Sequence, residues 1–253
     1  MIKFENVNKV WPNGKYALEN INLEIKTGEF VAIVGLSGAG KTTLLKTINK
    51  FVPISSGAIQ INFDNEQFDV NKIKGKELKN LRKHIGLMSQ EYNNIEKQVV
   101  LKNVLNSRVS KMGFLRALIG YFNKQDKFIA LQNLEKLNLL DYAYVRAENL
   151  SGGQQQRIAL ARTLAQEPSL IIADEPVSAL DPVLANQVMQ DFQRINSEDK
   201  ITIIINIHHI DLALKYATRI IGLKDGKILF AGDPAELSTT RLEQIYGKEY
   251  SKN

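Results

Sequence analysis

The chain has no cysteine among its 253 residues. Disulfides, a thiolate nucleophile and cysteine-ligated zinc are thereby excluded, a usage that fits a reducing compartment. Long apolar runs are also missing. The longest, such as residues 201–207, stops far short of the roughly 20 residues that cross a bilayer as a helix. No charged leader followed by an apolar block opens the chain, so no secretory signal is expected and the protein is expected to stay in the cytosol. There is no internal repeat and no low-complexity linker. What remains is an ordinary globular composition, 44% hydrophobic and 24% charged, long enough for one large α/β domain or a domain with a modest insert. The net charge of +6 suits nucleic acid, anionic lipid or a polyanionic small molecule alike. Its densest basic run, residues 72–83, is interleaved with Glu77, Leu78 and Leu81 and reads as a solvated helix face.

Apolar or alternating runs at residues 2–7, 21–25 and 30–34, separated by Pro12-Asn13-Gly14 and Thr27-Gly28, predict strands at the start of the chain. Residues 57–62 and 85–88 continue the pattern, and these five runs are expected to make a small β layer beside a larger sheet. From about 99 to 144 the character changes. Leu101, Val104, Leu105, Val109, Phe128, Leu131, Leu134 and Leu137 recur at helical spacing without strand signals, which predicts a helical insert. Strands then return as solid apolar blocks at 170–173, 201–207 and 220–223. Unalternating strands joined by helices predict a parallel sheet covered on both faces.

Gly35-Leu36-Ser37-Gly38-Ala39-Gly40-Lys41-Thr42 fits the phosphate-loop pattern and lies between a predicted strand and a predicted helix, the context that pattern requires. A glycine-rich backbone wraps phosphates with its N–H groups, and the helix N-terminus adds positive potential. Lys41 is expected to reach the β and γ phosphates, and the Thr42 hydroxyl to ligate magnesium. The structural alternative is a glycine-rich turn with an accidental lysine.

Residues 170–175, Leu-Ile-Ile-Ala-Asp-Glu, form an apolar strand ending in two acids, at the edge where ligands of open α/β sheets gather. Both acids would serve equally as caps of a following helix. Facing a triphosphate, however, two carboxylates repel it unless a cation intervenes, so Asp174 is expected near magnesium and Glu175 near an attacking water as proton acceptor. Leu150-Ser151-Gly152-Gly153-Gln154 precedes a helical run with Ser151 at its N-cap. Its two glycines bare the helix N-terminus as an anion site. With one phosphate loop already on one face of the nucleotide, a second anion site points to a partner protomer.

This Leu-Ser-Gly-Gly-Gln run, standing between the phosphate loop and the acidic strand, resembles the signature of the ATP-binding cassette family, and the resemblance covers nearly the whole chain. It implies a single nucleotide-binding domain over residues 1–253, with a P-loop core of mostly parallel sheet, an antiparallel β subdomain and an α-helical subdomain at about 97–149. It implies ATP and Mg2+, and a head-to-tail homodimer. Each nucleotide is then held by Gly35, Leu36, Ser37, Gly38, Ala39, Gly40, Lys41, Thr42 and Thr43 of one copy and by Ser151, Gly152, Gly153 and Gln154 of the other. By the same resemblance Trp11 stacks on adenine, Gln90 touches magnesium beside Thr42 and Asp174, and Asp181 belongs to a dimer-contact loop. His208 sits against the γ-phosphate, selected over His209 by its spacing of five residues from Ala213. Glu175, His208 and Lys41 are the expected catalytic set. Ser89 departs from the aromatic that many relatives carry there.

Within the family, residues 103–105, 120–122, 165–168, 205–219 and 245–247 resemble the ATPases of phosphonate importers. That implies two membrane permease subunits, an extracytoplasmic substrate-binding protein and a place on the cytoplasmic face of the membrane. Import of phosphite, phosphate or phosphate esters, and an exporter or lipoprotein-releasing motor, remain alternatives. A DNA-maintenance ATPase of cassette type lacks its long coiled coil here, so no nucleic acid partner is expected.

Overall fold

The computed structural model describes residues 1–63 and 66–247. The first half runs β1 (Ile2–Val10), β2 (Tyr16–Ile25), β3 (Phe30–Val34), α1 (Lys41–Ile48), β4 (Ser56–Phe63), β5 (Glu66–Asp69), α2 (Gly75–Lys83) and β6 (Ile85–Met88). It continues with α3 (Val100–Leu105), α4 (Phe114–Ile119), α5 (Lys124–Lys136), α6 (Gly152–Leu164) and β7 (Leu170–Asp174). The chain then forms α7 (Pro182–Asp199), β8 (Thr202–Asn206), α8 (Ile210–Tyr216), β9 (Arg219–Lys224), β10 (Lys227–Gly232) and α9 (Thr239–Tyr246).

Alternation of apolar and polar residues produces a sheet with one dry face. β1, β2, β4 and β5 pair antiparallel in the order β2-β1-β4-β5, burying Ile2, Phe4, Leu18, Ile21, Ile59 and Ile61. The second sheet has the order β10-β9-β3-β8-β7-β6, parallel except for the β9–β10 hairpin. β3 is apolar on every residue, and the middles of β7, β8 and β9 are too, because both faces are covered. Phe30, Ala32 and Val34 of β3 enter the core shared with α6, α7 and the helical stretch. Val31 and Ile33 enter the core shared with α1 and the antiparallel sheet.

Two expected members of the small β layer are therefore placed differently. β3 and β6 belong to the large sheet, pairing parallel with β8 and β9 and with β7 respectively. The reason lies in burial: every residue of β3 is buried, and a strand with no wet face needs a layer on each side. β5 and β10 lie outside the predicted strands: β5 is four residues long and polar but for Phe68, and β10, though it holds Ile228-Leu229-Phe230-Ala231, is exposed or half-buried throughout.

Between β6 and α6 the chain is helical, and its two ends are stitched together. Val99 bridges Arg146, Val100 N–H donates to Val145 O at 2.9 Å, and Ala147 N–H donates to Gln98 O at 3.0 Å. The stretch thus leaves and rejoins the core at one place. Leu101, Val104, Leu134 and Leu137 pack inward as their spacing predicts, whereas Val109 and Phe128 face outward, 41% and 54% exposed. α2 buries only Leu81, so the basic run is a solvated face.

The parallel order has a direct consequence for chemistry. β3, β8 and β7 are neighbours, so the phosphate loop after β3, the residues after β8 and the two acids ending β7 meet at one sheet edge.

Candidate nucleotide site

The loop after β3 is shaped by contacts that exclude side chains. Gly35 has φ 145°, and a Cβ there would lie 2.2 Å from the Leu223 carbonyl oxygen. Gly40, the N-cap of α1 with φ 103°, would place a Cβ 2.4 Å from the Ala17 carbonyl oxygen. Only glycine serves at both points. Lys41 opens α1 and is 5% exposed. Its Nζ donates to Gly35 O at 2.8 Å and Leu36 O at 2.9 Å. Burial pushes its pKa below the ordinary 10.5, while Glu175 and Asp174 pull the other way. A desolvated cation bonded to two neutral carbonyls is an arrangement that an incoming anion improves.

Next to it, Thr42 Oγ1 donates to Asp174 Oδ1 at 2.8 Å. A hydroxyl and a carboxylate are hard oxygen ligands, so the pair fits magnesium. Among the described residues no group of three or more His, Asp or Glu is set to hold a metal, and phosphate and water would complete the shell. Glu175 follows in a left-handed conformation, φ 53°. Its N–H donates to Asn206 O at 3.0 Å. Glu175 Oε1 lies 2.7 Å from His208 Nε2.

A cleft of about 410 Å³ joins these groups. It brings together Trp11, the run Ser37, Gly38, Gly40, Lys41, Thr42 and Thr43, and the Glu175–His208 pair. Gly35 and Leu36 act through their carbonyls on Lys41, and Ala39 is packed inward, 5% exposed. Three lining residues escaped sequence reasoning: Lys15, Tyr16 and Ala17. The available signal was the turn Trp11-Pro12-Asn13-Gly14, closed by Gly14 N–H to Trp11 O and Trp11 N–H to Lys15 O, both 2.9 Å. It sets Tyr16 beside Trp11. Lys9 Nζ lies 4.7 Å from the centre of the Trp11 ring. Asn206, a polar residue ending a strand of isoleucines, was also missed.

Ser151 caps α6 in a reciprocal box: Gln154 N–H donates to Ser151 Oγ at 3.4 Å, and Ser151 N–H to Gln154 Oε1 at 2.9 Å. Asp181 caps α7, accepting from Val183 and Leu184 N–H at 2.9 and 3.0 Å. Ser151, Gly153 and Gln154 line a separate groove with Arg157 and Leu184. Gly152 borders Leu180 and Tyr92. Gln90 is exposed on the loop after β6. Among the described residues, the lining of the first cleft includes none of Gln90, Ser151, Gly152, Gly153, Gln154 or Asp181. Within one chain the two grooves are therefore separate.

Residues 18–178 match the model of the ABC transporter family. Over 249 residues the chain is 70% identical to the phosphonates import ATP-binding protein PhnC of Mesoplasma florum, covering 98% of this chain and 100% of that one. The protein of the same name from Lactococcus lactis subsp. lactis is 52% identical with the same coverage. A solved ATP-binding cassette, a dimer in a post-hydrolysis state bound to ADP and Pi, matches with TM-score 0.77 and 36% identity over 92% of this chain and 99% of that chain. The chain belongs to the ABC transporter family. It is that family's nucleotide-binding cassette, an ATPase that serves transport.

Proposed function

We propose that this chain hydrolyses ATP to drive import of a phosphonate, working as a homodimer on the cytoplasmic face of the membrane with two permease subunits and an extracytoplasmic substrate-binding protein. No nucleic acid takes part. The observation that carries the catalytic reading is the gathering of Lys41, the Thr42–Asp174 pair and the Glu175–His208 pair at one sheet edge. The cargo rests on the 70% identity over the full length of a phosphonate import protein.

In this reading adenine stacks on Trp11, and the N–H groups from Gly35 to Thr42 wrap the phosphates. Lys41 exchanges its two carbonyl partners for the β and γ phosphates. Thr42 and Gln90 would hold magnesium, with Asp174 acting through water, and the ion supplies charge neutralisation along the triphosphate. The other copy brings Ser151, Gly152, Gly153 and Gln154 to the γ-phosphate, with Asp181 at the contact between copies. Glu175 accepts a proton from water as the water oxygen bonds to the γ-phosphorus and the bond from that phosphorus to the β–γ bridging oxygen breaks, ADP leaving with the electron pair. His208 orients Glu175 and stabilises the transferring group electrostatically. Residues 97–149 form the helical part of a single domain, and from about 99 to 116, with Gln90, they pass closure to the permease.

The test is reconstitution with the permease and binding protein, measuring ATPase stimulation by phosphonates, phosphite and phosphate. Stimulation by a phosphonate supports the reading. Stimulation by phosphite or phosphate alone reassigns the cargo, and intact basal hydrolysis with no stimulation discards phosphonate import.

A further inference from the structure

β8 runs Thr202, Ile203, Ile204, Ile205 and then Asn206, which is 0% exposed. An isoleucine would suit that interior, and the asparagine carries a burden instead: its Oδ1 is buried without a hydrogen-bond partner. Its Nδ2 is fully engaged. It donates to Asp174 Oδ1 at 2.7 Å and to Thr42 Oγ1 at 3.3 Å. Turning the amide over would set its oxygen against the carboxylate, so the donor must face Asp174 and the acceptor must be left alone. The register makes this unavoidable. β8 lies between β3 and β7, and Asn206 is the partner of Ile33 on one side and Asp174 on the other. Its carbonyl also accepts from Glu175 N–H at 3.0 Å. One buried residue therefore holds the side chain of the first acid and the backbone of the second.

We infer that Asn206 is a positioning residue for the magnesium-binding pair, an inference that rests on the nucleotide reading above. Thr42 and Asn206 both donate to Oδ1 of Asp174, which pins the carboxylate and leaves Oδ2 as the oxygen that faces the metal or its water. The buried orphan acceptor is tolerated because the donor on the same amide fixes the acid.

Calorimetric titration of the full chain with ADP, which does not turn over, tests this in excess Mg2+ and again in EDTA. Asn206→Val and Asn206→Ala remove the donor, and Asn206→Thr returns a hydroxyl on a β-branched frame that suits a buried strand. In Mg2+ the Kd of the Val and Ala variants rises about tenfold, the scale of a lost hydrogen bond to a charged group. In EDTA it stays near that of the unaltered chain. The Thr variant recovers most of the magnesium-dependent affinity. If Val or Ala binds as the unaltered chain does in both conditions, or loses affinity equally in both, the positioning role is overturned. Should Val fail to fold, Ala and Thr decide by the same comparison. Failure of the unaltered chain to bind ADP at all would instead refute the nucleotide reading on which the inference stands.

Discussion

Nε2 of His208 lies 2.7 Å from Oε1 of Glu175, although the two are separated by 33 residues of sequence. Parallel pairing of β7 with β8 sets Asp174 opposite Asn206. Glu175 and His208 then leave their strands at the same level. Glu175 holds φ 53°, a conformation costly for a side-chain-bearing residue, and the bond from its N–H to Asn206 O secures it. The carboxylate is held, partly exposed, beside a histidine and above the phosphate loop.

If that pair works as a unit, His208→Ala leaves nucleotide affinity near its original value and lowers turnover by roughly 10²–10⁴, the usual range for a lost acid–base partner. Phosphate release alongside equilibrium ATP binding checks it. A parallel loss of affinity would assign His208 to binding instead.

Lys41 carries a pH signature. Burial holds its pKa below 10.5 in the folded chain, so between the folded value and 10.5 the unfolded chain binds more protons. Stability from this group then rises with pH across that window, and its burden is greatest below the folded pKa. Compared with Lys41→Met, which has no such group, the unaltered chain gains relative stability as pH climbs toward 10.5. Thermal unfolding of both proteins between neutral and alkaline pH reads the difference. The Met variant also loses ATP binding.

Because Ser151 and the Lys41 cleft are separate in one chain, two inactive variants complement each other. Ser151→Ala keeps a working phosphate loop, and Lys41→Met keeps a working signature. Mixing them restores hydrolysis that neither shows alone. Ser151→Ala also loses its cap on α6 and about 1 kcal/mol of stability, visible as a lower Tm.

Arg108, 6% exposed, joins the helical stretch to the segment between α6 and β7. It donates to Asp126 at 3.3 Å, Ala165 O at 2.8 Å and Glu167 at 2.6 Å. Arg108→Ala leaves Asp126 buried with Arg116 as its remaining cation. A loss of about 3 kcal/mol is expected on denaturant unfolding, with nucleotide affinity changed little.

Much of this was legible in the sequence, for identifiable reasons. The solid apolar blocks at 170–173, 201–207 and 220–223 marked strands covered on both faces, because burial on both sides leaves few polar positions. The phosphate loop was legible because Gly35 and Gly40 sit where no Cβ fits. Ser151 was readable as a cap, and it is one. What local pattern does not specify is which sheet a strand joins, so β3 and β6 were expected in the wrong layer. Asn206 went unnoticed because its meaning lies wholly in strand register. Tyr16 and Lys15 reach the cleft through a turn whose closure depends on tertiary placement.

The most direct test is the Glu175→Gln variant, followed for ATP hydrolysis and for its sedimentation with and without ATP. The account predicts that this chain binds ATP, forms an ATP-dependent dimer and hydrolyses poorly, because the amide cannot accept the proton from water. Full turnover by Glu175→Gln would contradict it.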